Sequence, residues 1–434
     1  MIRRIIVLSV LLFFVQTSAF AEIGTKWGIA ERVRHEYWKN IFDMDNDQKD
    51  NRNFFRIKTS GWGEVDFTKE FSLYAKMTNE NKAYTYYTIN NKKGYRYQLN
   101  EFVFDNLYLD VKNIAGLPFD MRAGRQDLMD YGEMFLFADG TPNDGSRTYY
   151  FNALKTTWRL TEKNSVDFLY INDRRDDVYL PIINELKPVQ SLTTTDEAAA
   201  AVYVKSKQFN NFALEGYYIY KREGADGGVG YQAEKGMINT LGGFAKYMVG
   251  PYTLRGQLAG QFGTYGTKDR QALGGYAYID RDCKSLPWAP KATLGVVYLS
   301  GDDRSTTKNE SWDPLFSRNP WNSELYSTAM KSETGILGYW TNLIHLRSIL
   351  ALNPTSKMKL TLQYGYLWAP EYSASSSVLS GSSRDRGHLP IGKVEYTFNK
   401  NMSAYFLTEY FIPDGFYKDN DPSLFLRTEV MLKF

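Results

Sequence analysis

The sequence predicts an all-β fold: a transmembrane antiparallel β-barrel of about 18 strands, with short periplasmic turns and long extracellular loops. Three observations predict it. The N-terminus has the anatomy of an export signal. Apolar and polar residues alternate along most of the chain. The chain closes on an alternating strand whose last residue is Phe434.

The N-terminus begins Met1-Ile2-Arg3-Arg4, continues as an apolar run over 5–15, and ends in small residues with Ala19 and Ala21. A positive start, a short apolar core and an A-x-A site describe a cleaved secretory signal. The run falls short of the ~20 apolar residues a membrane helix needs. The expected division is 1–21 as signal peptide and 22–434 as outer-membrane β-barrel, delivered to a Gram-negative-type outer membrane. No later segment is apolar enough or long enough for a membrane helix.

Composition narrows the class further. Aromatic residues make up 16% of the chain, with 33 Tyr, and Tyr and Trp favour membrane interfaces. Removing Arg3 and Arg4 takes Lys+Arg from 52 to 50 against 49 Asp+Glu, so net charge gives no reason to expect a nucleic-acid partner. The single cysteine, Cys283, excludes an internal disulfide and a Cys-based metal cluster.

Period-two alternation places strands starting near 24, 52, 71, 98, 118, 149, 165, 196, 212, 236, 252, 270, 290, 335, 357, 389, 402 and 424. In the stretch 98–112, Phe102 and Phe104 are out of step with Leu107, Leu109 and Val111, and a bulge near Asp105 repairs the phase. In the last strand Leu424, Leu426, Thr428, Val430, Leu432 and Phe434 share one face. Such an ending suits recognition by the outer-membrane assembly machinery.

Connections alternate in length, as barrel topology requires. The stretches 68–70, 113–117, 161–164, 250–251, 353–356 and 399–401 read as periplasmic turns. The stretches 43–51, 79–97, 127–148, 174–195, 221–235, 301–334, 369–388 and 413–423 read as outer loops. Two depart from the rule: 264–269 is short for an outer loop, and 281–290 is long for a turn.

If the apolar set of each strand faces lipid, several charges face the lumen. The basic set is Lys26, Arg32, Arg34, Arg56, Lys58, Arg122, Arg255, Arg347, Lys359, Lys393 and Arg427. The acidic set is Glu36, Glu64, Asp66, Asp110, Glu395 and Glu429. Wide barrels hold an aqueous channel, and rings of Arg and Lys along it draw in anions. Arg also grips carboxylates with two hydrogen bonds. The plainer reading is that these charges only solvate the interior.

Catalysis finds little support. The histidines are His35, His345 and His388, and His388 lies near Ser382, Ser383 and Asp385 in sequence only, with no G-x-S-x-G elbow. No zinc spacing occurs, and no metal or other cofactor is expected.

Gly124-Arg125-Gln126 followed by the stretch 143–154 (NDGSRTYYFNAL) resembles the alginate export family of outer-membrane porins. So do Tyr298-Leu299-Ser300-Gly301-Asp302-Asp303, Trp312-Asp313-Pro314-Leu315-Phe316 and Glu324-Leu325-Tyr326. The resemblance implies an 18-stranded barrel with a basic constriction that passes an anionic polyuronate, gated in part by loops. Arg34, Arg56, Lys58, Arg122, Arg125 and Arg255 are the basic residues available for that role. The C-terminal periplasmic turns are too short for a long periplasmic gating loop.

The expected function is a passive channel for an anionic polysaccharide or related organic anion. The alternatives are a general diffusion porin and a plugged barrel acting as an adhesin or structural protein. Expected surroundings are outer-membrane lipid and lipopolysaccharide; a periplasmic secretion partner is left open. The outer loop 301–334, with Trp312, Phe316, Trp321 and Tyr326, is expected either to fold inward or to pack as a lid.

Overall fold

The computed structural model describes residues 23–47, 50–89, 92–137, 151–183, 193–225, 234–317 and 322–434, and the signal-peptide expectation lies outside them. The strands are β1 (Gly24–Lys39), β2 (Arg52–Asp66), β3 (Phe71–Ile89), β4 (Lys92–Val111), β5 (Phe119–Gln126), β6 (Phe151–Arg159), β7 (Asn164–Asp173), β8 (Glu197–Phe209) and β9 (Phe212–Glu223). They continue as β10 (Gly236–Val249), β11 (Tyr252–Tyr265), β12 (Lys268–Asp282), β13 (Lys291–Leu299), β14 (Leu343–Thr355), β15 (Met358–Trp368), β16 (Asp385–Asn399), β17 (Met402–Pro413) and β18 (Ser423–Lys433). Each strand pairs antiparallel with the next, and β18 returns to β1 from Ala30↔Lys433 to Lys39↔Leu424. The result is a closed barrel of 18 strands.

Closure follows from the solvent. Hydrocarbon offers no hydrogen-bond partner, so a sheet inside it can leave no edge. The last residue takes part in the seam: Phe434 N donates to Ile29 O, and Ile29 N donates to Phe434 O. No helix among the described residues is long and apolar enough to cross a membrane; the crossing is done by strands.

The alternation in sequence is the alternation in space. On β11, Leu254, Leu258 and Phe262 are exposed on the outer face, while Gln257 and Gln261 are buried inside. On β15, Leu362 and Tyr364 are exposed outward. Trp27, Trp158, Phe209, Tyr396 and Phe398 are exposed near the end that carries both termini, and Tyr170, Tyr218, Tyr364 and Tyr410 toward the other. Two such aromatic girdles mark the two interfaces of a membrane barrel.

The bulge at Asp105 is present. Lys76 pairs with Asn106 and Met77 with Phe104, so Asp105 is the extra residue. It turns inward, where Lys76 and Thr78 bind its carboxylate at 2.8 and 3.1 Å.

Connections at the end with both termini are short, the longest being 283–290, expected from the sequence, and then 112–118. The turn between β11 and β12 is short, also as expected.

Two expectations fail. The stretch 79–97 is not a loop, because β3 and β4 run on for 19 and 20 residues. Its Tyr, Thr and Ile content favours strand, and further register shifts after Asn79 and Tyr84 hide the alternation. The strand placed near 335 begins instead at Leu343, because Glu324–Thr334 forms a helix, α1. Ser323 caps it by accepting from Tyr326 N, and Gly335 ends it at φ 81°.

The largest apolar core lies inside the barrel. It joins Leu128, Tyr131, Phe135 and Phe137 to Trp312, Phe316, Tyr326 and Trp340, and these pack on inward residues such as Tyr203, Tyr217 and Tyr276. Two connections therefore fold into the lumen from the extracellular side.

The outer face gives the first test. Leu258, 60% exposed at the middle of β11, is predicted to face hydrocarbon. Leu258→Arg should cost about 2–4 kcal/mol in urea titration of vesicle-folded protein. Thr253→Arg, on the inner face of the same strand, should stay within ~0.5 kcal/mol of wild type.

Candidate functional site

Across β1, β2, β3 and β18, inward positions build a band of charge. Arg32 reaches Glu80 at 3.4 Å and Arg34 pairs with Glu429. Arg56 lies 3.5 Å from both Glu36 and Glu80. Arg427 joins Glu36 at 3.0 Å and Glu324 of α1 at 2.7 Å. Guanidinium and carboxylate groups alternate through this band, and Arg32, Arg34, Glu36 and Arg427 are fully buried. Taken from water, each ion depends on its neighbours, since Coulomb attraction must offset desolvation. Lys58 is buried beside the band on β2.

The first inserted segment, 127–137, crosses the lumen. Tyr131 donates to Asp167 on β7 at 2.9 Å, and Gly132 N donates to Glu215 on β9 at 3.0 Å. Tyr276 on β12 donates to Gly132 O at 3.2 Å, and Glu133 pairs with Arg255 on β11. Gly132 holds φ +53°, a backbone conformation glycine adopts without strain, and the Gln257 side chain packs against it. Burial, reinforced by Asp167, pushes the Tyr131 hydroxyl well above its ordinary range and keeps it a donor.

The second inserted segment, described over 300–317 and 322–342, meets the first. Phe316 N donates to Leu136 O at 3.1 Å, and the rings of Phe137 and Phe316 stack at 5.4 Å. Asp313 accepts from Tyr339 OH at 2.8 Å and lies 3.6 Å from Arg270. Trp312, Phe316 and Tyr326 are buried, so this connection folds inward; Trp321 lies outside the described residues.

Helix α1 is tethered at both ends. Glu409 on β17 accepts from Glu324 N at 3.2 Å and Leu325 N at 2.9 Å, placing a carboxylate at the helix N-terminus. At the other end Glu333 takes Arg386 at 2.5 Å and Tyr417 OH at 2.6 Å.

The inner half of the lumen is different: its cations keep contact with water. Lys26 pairs with Glu64 at 3.0 Å and Asp66 at 3.3 Å. Arg122 pairs with Asp110 at 2.7 Å and lies over Tyr108 at 4.1 Å. Arg255 holds Asp280 at 3.1 Å and lies over Tyr278 at 4.4 Å. Arg347 donates to Tyr278 OH at 2.9 Å. Lys393 and Lys359 share Glu395 at 2.9 and 3.8 Å, and Lys393 lies over Tyr405 at 4.5 Å.

Arg125 has another setting. It is 2% exposed at the outer end of β5, where Asp177 receives it at 2.6 and 3.1 Å and Asn152 at 3.1 Å. Beside it Ile182–Ile183 pairs with Phe102 and Val103 of β4, closing the wall above the short β5. Arg125 therefore sits in a sealed part of the wall and not on an open lumen face.

Sequence reading passed over Lys155 and Lys205. They share Asp167 at 3.9 and 3.1 Å, and their amines lie 5.4 and 3.8 Å from the Tyr131 ring centre. Both were findable, since Leu154 and Val204 next to them are exposed outward. Arg270 and Arg386 bind the inserted segments, which strand alternation does not reveal. His388 Nδ1 lies 2.7 Å from Tyr364 OH, with no serine hydroxyl among its recorded partners.

A family model for alginate export matches residues 26–373. No curated protein matches the chain. Solved structures show the same fold at low identity. The structure of Pseudomonas aeruginosa OccK2 (OpdF) in complex with glucuronate has a TM-score of 0.56 and 12% identity, covering 96% of this chain and 99% of that one. P. aeruginosa OpdL gives 0.58 and 8%, covering 94% and 98%. Acinetobacter baumannii OccAB4 gives 0.56 and 9%, covering 94% and 98%. Of the stretches that carried the resemblance, 143–150 lies outside the described residues, while Trp312–Phe316 and Glu324–Tyr326 fall in the second inserted segment.

Two variants test this arrangement. Glu36→Ala leaves Arg56 and Arg427 short of a buried carboxylate and should cost about 3–5 kcal/mol in urea titration. Glu409→Ala frees the start of α1. It should open a protease site within 322–342 that wild type resists, while the heat-modifiable gel shift of the folded barrel persists.

Proposed function

The chain belongs to the alginate export family, and on that premise we propose that this outer-membrane channel passes carboxylated saccharides, of uronate type, by diffusion down their gradient. The observation that carries the reading is the pair Lys155 and Lys205. These two ammonium groups share a single carboxylate, Asp167, beside the first inserted segment. Asp130 and Glu215 also lie near enough to act on this cluster, so it is the contact stoichiometry, two ammonium groups on one carboxylate, that draws in anions and replaces part of their solvation.

Arg122, Lys359 and Lys393 extend that preference toward the periplasm, because their side chains stay 36%, 52% and 32% exposed. Arg32, Arg34, Arg56 and Arg427 contribute differently. Their charge is spent on Glu36, Glu80, Glu324 and Glu429, so they hold the wall and the helix in place. The glucuronate bound in the OccK2 structure supports the uronate class, since a barrel of like fold takes a carboxylated sugar.

Residues 1–21 are assigned as the export signal and 22–434 as the mature barrel, with Phe434 offered to the assembly machinery. The reading involves no chemical step on the solute. The second reading is a general diffusion porin. It is favoured by the near-complete pairing of the buried charge band.

Zero-current potentials across a salt gradient in planar bilayers separate the two. The uronate reading predicts anion preference in wild type and its loss in a Lys155→Gln, Lys205→Gln, Arg122→Gln variant. Equal permeability to anions and cations in wild type leaves the general porin.

A further inference from the structure

The periplasmic half of the lumen carries an aromatic strip that charge alone does not explain. Trp62 on β2, Tyr74 on β3 and Tyr108 on β4 occupy inward positions near one level: Glu64 pairs with Tyr74, and Tyr74 with Tyr108. The rings of Trp62 and Tyr74 have centres 6.0 Å apart and planes 20° apart. Those of Tyr74 and Tyr108 lie 5.0 Å and 16° apart. Arg122 extends the strip at one end, its guanidinium 4.1 Å from the Tyr108 ring centre. At the other end Trp62 leans over Gly28, where a Cβ would stand 2.6 Å from the indole nitrogen. Lys26 lies on the same strand as Gly28, with its side chain 60% exposed.

All three rings are partly exposed; Asp127, where the first inserted segment begins, lies near enough to act on Tyr74 and Tyr108 and leaves them so. The rings of the extracellular half are buried against the inserted segments, as Phe135 is against Trp312. Aromatic surface left wet in a conduit gains free energy when an apolar face covers it. A water-soluble solute that carries such a face is a pyranose, whose axial C–H bonds make one side of the ring apolar. Its hydroxyls lie around the rim, within reach of the flanking carboxylates Glu64, Asp66 and Asp110. A uronate adds a carboxylate that matches Arg122 and Lys26.

We propose that Trp62, Tyr74 and Tyr108, flanked by Arg122 and Lys26, form a stacking track for the pyranose rings of the solute. The inference rests on the uronate reading and sharpens it. The channel then distinguishes a carboxylated saccharide from an aliphatic carboxylate.

The test is equilibrium binding of trigalacturonate to the detergent-folded barrel, with adipate as the sugar-free carboxylate. Saturation-transfer NMR reports the contacts. Trigalacturonate should bind, with saturation on its ring C–H protons. Loss of Tyr74 in Tyr74→Leu should weaken it about tenfold, the low end of what one stacking ring contributes. Tyr74→Phe should retain wild-type affinity, and adipate binding should be the same in all three proteins. If Tyr74→Leu does not fold, Tyr108→Leu against Tyr108→Phe makes the same comparison. Absence of trigalacturonate binding overturns the proposal. So does equal affinity in the Leu and Phe variants, or a parallel loss for adipate. Anion-selective conductance with ring-independent binding would overturn the track alone. Ring-dependent binding without anion selectivity would overturn the transport reading and leave the track.

Discussion

A backbone N–H in hydrocarbon has no partner but another backbone, and the rest of this structure depends on that constraint. It forces a closed sheet, and closure forces an inside. With 18 strands the inside is too wide for wall side chains to fill. The chain meets that second demand in two ways. In the extracellular half it folds two connections inward and builds an apolar core from Phe135, Phe137, Trp312, Phe316 and Tyr326. In the periplasmic half it leaves the inner face charged, aromatic and wet.

The join between the halves is electrostatic. Arg427 is shared between Glu36 on the wall and Glu324 on α1. Glu409 holds the helix N-terminus, and Arg386 with Tyr417 holds Glu333. An inserted segment held by such groups keeps its position through desolvated ion pairs, whose partners are costly to separate. Lys155, Lys205, Arg122, Lys359 and Lys393 are among the cations left near water, and the proposed transport rests on them. Burial thus sorts one class of residue into two roles.

Much of this was legible in the sequence because a strand has period two. Sixteen of the eighteen predicted strand starts fall within about four residues of the observed ones, a tolerance usual for element boundaries. Even the bulge at Asp105 was visible, as a phase slip between Phe104 and Leu107. The inward direction of Arg34, Arg56, Arg255 and Arg427 followed from the same periodicity. What alternation does not encode is what comes to meet a side chain. The pairing of Arg125 with Asp177 joins residues across a loop, and α1 depends on Glu409, far along the chain. The stretch 79–97 misled because its bulges break the very phase used to detect strands.

The central claim is that the open half of this lumen favours a carboxylated sugar. Swelling of proteoliposomes in isotonic glucuronate and in isotonic glucose measures it most directly, since the two solutes share a ring and differ in one carboxylate. The account predicts faster swelling in glucuronate, with the difference shrinking as salt screens the lumen cations. Equal rates, or faster entry of glucose, would contradict it.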